Sequence, residues 1–172
     1  NVTDVFTTDD AFAAIKEDGS VVTWGVSDYG GDSLSVVFDL LSGVEKIQSN
    51  NRAFAALKND GSVVTWGSQS NGGNSSFVEE QLSSGVVDIF STRYEGPSFS
   101  NHDGYAFAAL KEDGSVVTWG GDRGGDSSEV AEQLGSEVVE IVSNEYQFAA
   151  LKQDGSVVSW GEYDGSRQRD YL

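Results

Sequence analysis

The chain holds one histidine, His102, and no cysteine. Nucleophilic catalysis by a Ser–His–Asp or Cys–His set needs a base held against the nucleophile. His102 stands in the polar stretch NHDGY, which reads as a solvent-exposed loop. Zinc sites draw on clusters of His and Cys, and the sequence has none. Carboxylates are plentiful, with 28 Asp and Glu. They suit a hard cation such as calcium. Asp32, Asp122, Asp126 and Asp164 lie in Gly-rich loops and are the weak calcium candidates. No D-x-D-x-D-G loop accompanies them, and the GGDSS stretches lack the tandem period of calcium-binding β-rolls. Capping of a short helix is the competing role for Asp32 and Asp126.

Glu79-Glu80 resembles a glycosidase carboxylate pair only superficially, because the corresponding residues of the other copies differ. Solvated surface is the simpler role. No phosphate-binding loop or dinucleotide fingerprint occurs. Asn1-Val2-Thr3 and Asn74-Ser75-Ser76 match the glycosylation acceptor triplet, which is common by chance. The expectation is a protein without catalysis and without a cofactor.

The elements that position these residues are spelled by repetition. AFAAIKEDGSVVTWG at Ala11 returns as AFAALKNDGSVVTWG at Ala53, AFAALKEDGSVVTWG at Ala106 and QFAALKQDGSVVSWG at Gln147. Trp24, Trp66, Trp119 and Trp160 fix the frame, with spacings of 42, 53 and 41. The long interval contains an insertion at 95–105, and without it the period is close to 42. Units then run over approximately 1–42, 43–84, 85–135 and 136–172 of a single repeat domain.

Each unit opens with a β-rich run (VTDVFTT, VEKIQS, VVDIFS, VVEIVS). The FAALK and SVVTW segments that follow are short apolar runs bounded by turn signals, which predicts strands buried on both faces. Between them, Asp-Gly marks a hairpin, with Gly19, Gly61, Gly114 and Gly155 able to take positive φ. Phe12, Phe54, Phe107 and Phe148, with the four tryptophans, are the expected core. Asp32-Ser33, Asn74-Ser75 and Asp126-Ser127 look like N-caps. Val36–Leu40, Val78–Leu82 and Val130–Leu134 then fit one or two helical turns, an irregular outer strand being the alternative. Three strands and a short segment cannot bury two faces alone, so neighbouring copies must complete each other's core.

The repeated V-x-x-I, A-L-K-x-D-G and V-x-x-W-G phrases resemble the RCC1-like repeat. Here the matching positions are Ala14-Ile15-Lys16, Asp18-Gly19, Val21 and Trp24-Gly25, with equivalents in the other copies. The resemblance implies an all-β repeat protein built of β-propeller blades. Departures are visible. Phe-Ala replaces the family's His-Thr, Gly-Gly-Asp/Asn-Ser replaces its Gly-Gln-Leu-Gly loop, and the Pro before the next strand is missing. The period is short, and four copies are fewer than the usual seven. No residues match the founding member's active loop for nucleotide exchange on a small GTPase.

Bulk properties narrow the partners. The 172 residues carry a formal net charge of −18, which repels phosphate backbones and anionic lipid, so nucleic acid is excluded as a default partner. No apolar run is long enough to span a bilayer, and the opening residues do not read as a signal peptide. A soluble chain is expected, its compartment left open, secretion included; a start at Asn1 fits a processed product or a segment of something longer. The predicted function is a non-catalytic scaffold for protein–protein interaction, a structural or accessory subunit of a larger assembly. The alternatives are an acidic surface module for cations or glycans and, by family analogy, a GTPase exchange factor. Partner contacts are expected from Phe99, His102 and Tyr105 in the insertion and from Arg167, Arg169 and Tyr171 at the C-terminus.

Overall fold

A computed structural model of the chain describes residues 1–93 and 104–161. Among these residues, twelve strands form four three-stranded antiparallel sheets, one per repeat. The first contains β1 (Val2–Thr7), β2 (Ala11–Lys16) and β3 (Val21–Gly25). The second contains β4 (Val44–Ser49), β5 (Ala53–Lys58) and β6 (Val63–Gly67). The third contains β7 (Val86–Ser91), β8 (Ala106–Lys111) and β9 (Val116–Gly120). The fourth contains β10 (Val138–Ser143), β11 (Phe148–Lys152) and β12 (Val157–Trp160). Strands within each sheet follow chain order, so the protein is all-β, with sheets arranged as four propeller blades.

The blades are built as the turn chemistry dictates. In the first hairpin, Gly19 donates to the Lys16 carbonyl at 2.8 Å with φ +72°, and Asp18 accepts from the Ser20 N–H at 3.0 Å. Thr8 closes the preceding turn by accepting from Ala11 N–H at 3.1 Å; Asn50, Thr92 and Asn144 do the same in the other blades. The register then places Phe12 opposite Trp24, Phe54 opposite Trp66, Phe107 opposite Trp119 and Phe148 opposite Trp160. Each pair stacks, with ring centroids 5.2–5.4 Å apart.

The outer segments are helical only briefly. Leu34–Val36, Ser76–Val78 and Ser128–Val130 form single 3-10 turns. The Val–Leu spacing closes one further turn, because Leu40, Leu82 and Leu134 donate to the carbonyls of Val36, Val78 and Val130. That points each leucine inward, where it is buried. The outer-strand alternative therefore fails at all three positions.

The core lies between blades. Ala11, Ala13, Ile15 and Leu40 of the first blade pack with Val44, Ile47, Phe54, Ala56 and Trp66 of the second. The same positions build the seams between blades two and three and between three and four. Strand alternation sends Ala53, Ala55 and Leu57 to one neighbour and Phe54 and Ala56 to the other, which explains why FAALK is apolar throughout. Among the described residues no helix is long and apolar enough to cross a membrane.

Candidate functional site

Each seam is locked by the same contacts. The Trp66 indole N–H donates to the Gly30 carbonyl at 3.1 Å, Trp119 to Gly72 and Trp160 to Gly124. Gly30 must be glycine, since a Cβ there would sit 2.6 Å from the Phe54 ring and φ is +94°. At the other edge, Val44, Val86 and Val138 donate to the hairpin glycines Gly19, Gly61 and Gly114 of the preceding blade at 3.0 Å. Toward the inner rim, the hydroxyls of Ser49, Ser91 and Ser143 donate to the carbonyls of Thr7, Ser49 and Ser91. Arg93 reaches across, donating to the Thr7 carbonyl and to Ser49 Oγ, each at 3.0 Å. A Lys46–Asp88 ion pair bridges blades two and three on the same side.

The outer side departs from the repeat. An open groove of about 1130 Å³ runs between the outer segment of the first blade and β6 of the second. Leu34, Val36 and Trp66 supply apolar lining, and Asp28, Asp32, Asp39 and Glu79 supply negative charge. Arg52, also in the lining, stacks over the Tyr29 ring at 5.0 Å. A smaller groove between blades two and three is lined by Phe77, Val78 and Trp119. Phe77 is 97% exposed, Phe38 84% and Leu34 75%. In the third unit the register puts Glu129, Glu132 and Ser128 at these places, so among the first three units the apolar groups belong to units one and two.

The predicted site residues fall into three groups. Phe99, His102, Asp164, Arg167, Arg169 and Tyr171 lie outside the described residues. The carboxylates of Asp32 and Asp126 accept from the backbone N–H groups of Leu34 and Ser128 at 2.9 Å, as Asn74 does from Ser76. They start the 3-10 turns, and Asp126 is held below the usual carboxylate range by the Ser128 N–H and hydroxyl. Ser33, at the cap position itself, turns its hydroxyl to Thr23 Oγ1 at 3.0 Å instead. Asp122 is exposed. Among the described residues no three His, Cys, Asp or Glu side chains come together to share a metal ion.

Tyr105 corrects the sequence reading. It is buried, not displayed, and its carbonyl accepts from Gly121 N–H as the Arg52 carbonyl accepts from Ser68. Tyr105 thus belongs to the repeat register ahead of β8 rather than to the insertion. Arg123 lies between its ring and that of Tyr146, 4.9 and 4.7 Å from the centroids. Burial pushes the Tyr105 phenol up to about 12, with Arg123 opposing.

Asn71 was not flagged by the sequence pattern. Wholly buried, it accepts from the Gly104 and Tyr105 N–H groups at 2.9 and 3.0 Å, and its carbonyl accepts from Asn50 Nδ2 at 2.7 Å. It fixes the return from the insertion into β8. The available signal was an Asn standing at the position of Tyr29 within an otherwise regular loop.

No family model matches the chain, and no curated protein matches it. Solved structures do. Yeast RCC1 (Prp20), crystallised bound to Kap60, matches with TM-score 0.57 and 18% identity over 94% of this chain and 44% of that one. Human WBSCR16 gives 0.55 and 20% over 94% and 48%. The ectodomain of the Physcomitrella patens receptor kinase CR4 gives 0.51 and 16% over 94% and 40%. The chain thus spans less than half of each of these proteins. At such identities the likeness establishes the fold alone, that of β-propeller blades.

Proposed function

We propose that the chain is a non-catalytic scaffold that binds protein partners, as a structural or accessory subunit of a larger assembly. One observation carries this reading. The apolar side chains that break the repeat are exposed: Leu34 lines the acidic groove of the first outer seam, Phe77 lines the smaller groove of the second, and Phe38 stands on the outer segment of the first blade. Exposed aromatics at a concave site are what an interface core requires. The negative lining and the charge of −18 favour a partner segment that is basic with apolar anchors. Among the neighbours, yeast RCC1 is seen with Kap60, and a second Prp20p structure is described with its binding to Gsp1p and histones. Those partners support the class of function, a protein-binding platform, and not their own identity here. Phe99 and His102 of the insertion, and Arg167, Arg169 and Tyr171 beyond the last blade, remain proposed further contacts.

The test compares the native chain with a Leu34→Ser, Phe38→Ser, Phe77→Ser variant. All three side chains are exposed, so stability should stay within about 0.5 kcal/mol. Association with the proteins that co-purify from the source should weaken at least about tenfold, and native binding should weaken with added salt. Equal affinity of variant and native chain would defeat the assignment of this surface.

A further inference from the structure

The first outer groove has the free edge of a strand in its wall. β6 pairs with β5 on one side only, and at the hairpin end Lys58 N–H donates to the Ser62 carbonyl at 2.9 Å. Hydrogen-bonded pairs alternate along an antiparallel ladder, so Val64 and Trp66 turn their backbone groups to β5, and Val63 and Thr65 turn theirs away from it. On that open side Val63 N–H donates to the Leu82 carbonyl at 2.9 Å. Among the described residues this is the one backbone hydrogen bond between β6 and the outer segment of its own blade. The Thr65 hydroxyl is shared with Ser75 Oγ at 3.0 Å, but among the described residues the Thr65 N–H and carbonyl have no partner across the open edge. Every residue from 62 to 70 lines the groove, and the outer segments of the first and second blades supply most of the remaining lining.

We propose that this groove takes an extended, basic segment of a partner protein by strand addition, the segment pairing with the open edge of β6 as a fourth strand of the second blade. The proposal rests on the scaffold reading above and names how its partner is held. An unpaired sheet edge is a template for another chain, whose backbone supplies the bonding and whose alternate side chains supply the selection. Propeller blades are typically four-stranded, so the added strand would fill a place that the architecture already has. β6 has five residues, which matches about 17 Å of extended partner chain.

The lining selects the occupant. Asp28, Asp32, Asp39 and Glu79 face Arg52 as the one cation of the lining, and its guanidinium already lies over the Tyr29 ring. Unoccupied carboxylates of this number favour lysine or arginine on the incoming strand. Leu34, 75% exposed, and the half-buried Val36 and Val64 offer contacts to its apolar side chains. The edge of β9 is pinned in the same way, by Val116 N–H on the Leu134 carbonyl, but the groove along it has about 330 Å³ and Asp126 as its one carboxylate. The edge of β6 is therefore the site with both the room and the charge.

The probe is a labelled eight-residue peptide of alternating lysine and valine, with a second version N-methylated at every residue. Fluorescence anisotropy reads binding to the whole chain, and amide hydrogen exchange reads Thr65. The parent peptide should bind, more weakly as salt is added, and the methylated version should bind at least about tenfold more weakly for want of its N–H donors. Exchange of the Thr65 N–H should slow at least about tenfold in the complex, because that group gains an acceptor. Asp28→Asn with Asp39→Asn, at two exposed side chains, should leave folding intact by circular dichroism and weaken the parent peptide by about threefold or more. No binding of the parent peptide at millimolar concentration would overturn the proposal. So would equal binding of the two peptides, or a complex in which Thr65 exchange is unchanged. Those results would leave the scaffold reading standing, since that reading is decided by the co-purifying proteins and the Leu34→Ser, Phe38→Ser, Phe77→Ser variant.

Discussion

Trp24 and Trp66 occupy the same place in the repeat, yet only Trp66 is packed against another blade among the described residues. Trp66 is 2% exposed, stacks on Phe54 and donates to Gly30. Trp24 stacks on Phe12 but faces solvent. Identical residues therefore differ in energetic weight. Trp66→Ala should cost about 3–5 kcal/mol, through lost burial and a cavity between blades. Trp24→Ala, at a side chain 46% exposed, should cost about 1 kcal/mol or less. Urea denaturation of the two variants checks this, and equal losses would contradict the assignment of the seams. Asn71 makes a similar point for polar groups, since its loss would leave the buried Tyr105 N–H without its acceptor, at about 1–3 kcal/mol, and the half-buried Gly104 N–H at less.

Strands and hairpins were legible because their signals are local. Apolar runs, Asp-Gly turns and the tryptophan frame lie within about twenty residues of one another, and the structure has a strand at each predicted run. Burial on both faces does not extend to the outer strands of the end blades, since β12 alternates between exposed and buried residues and β3 has no buried residue. The Val–Leu spacing likewise announced a helical turn. The position of Tyr105 was not legible, because what defines it is a contact with Asn71, 34 residues away in sequence. Nor was the outer groove, which appears only when two units are set side by side. Glu137 shows how far the repeat tolerates variation: it takes φ +65° where Gly43 and Gly85 stand in the earlier units. The hairpins also set an acid limit. Asp18, Asp60, Asp113 and Asp154 are held below their ordinary value of 3.8, chiefly by the hydroxyl and then by the backbone N–H of the serine two residues on. A depressed carboxylate stabilises the folded state above its ordinary value, and the contribution is lost as pH falls through the lowered one. The melting temperature should therefore drop below about pH 3.8, more steeply in the native chain than in a variant with Ser20, Ser62, Ser115 and Ser156 changed to Ala. Coincident acid limbs would exclude the hairpin carboxylates as their source.

The four blades form one continuous array because neighbouring blades complete each other's core. A scaffold needs that rigidity if grooves at the seams are to keep their shape. Nearest-neighbour arrays can also melt piecemeal when their seams are weak. The seams here carry an indole hydrogen bond, a hairpin-tip hydrogen bond and an apolar cluster each. Scanning calorimetry of the dilute chain tests this most directly. One transition is expected, with the calorimetric enthalpy equal to the van't Hoff enthalpy. Separate transitions, or a calorimetric enthalpy several times the van't Hoff value, would mean that the blades unfold independently and that no continuous platform exists.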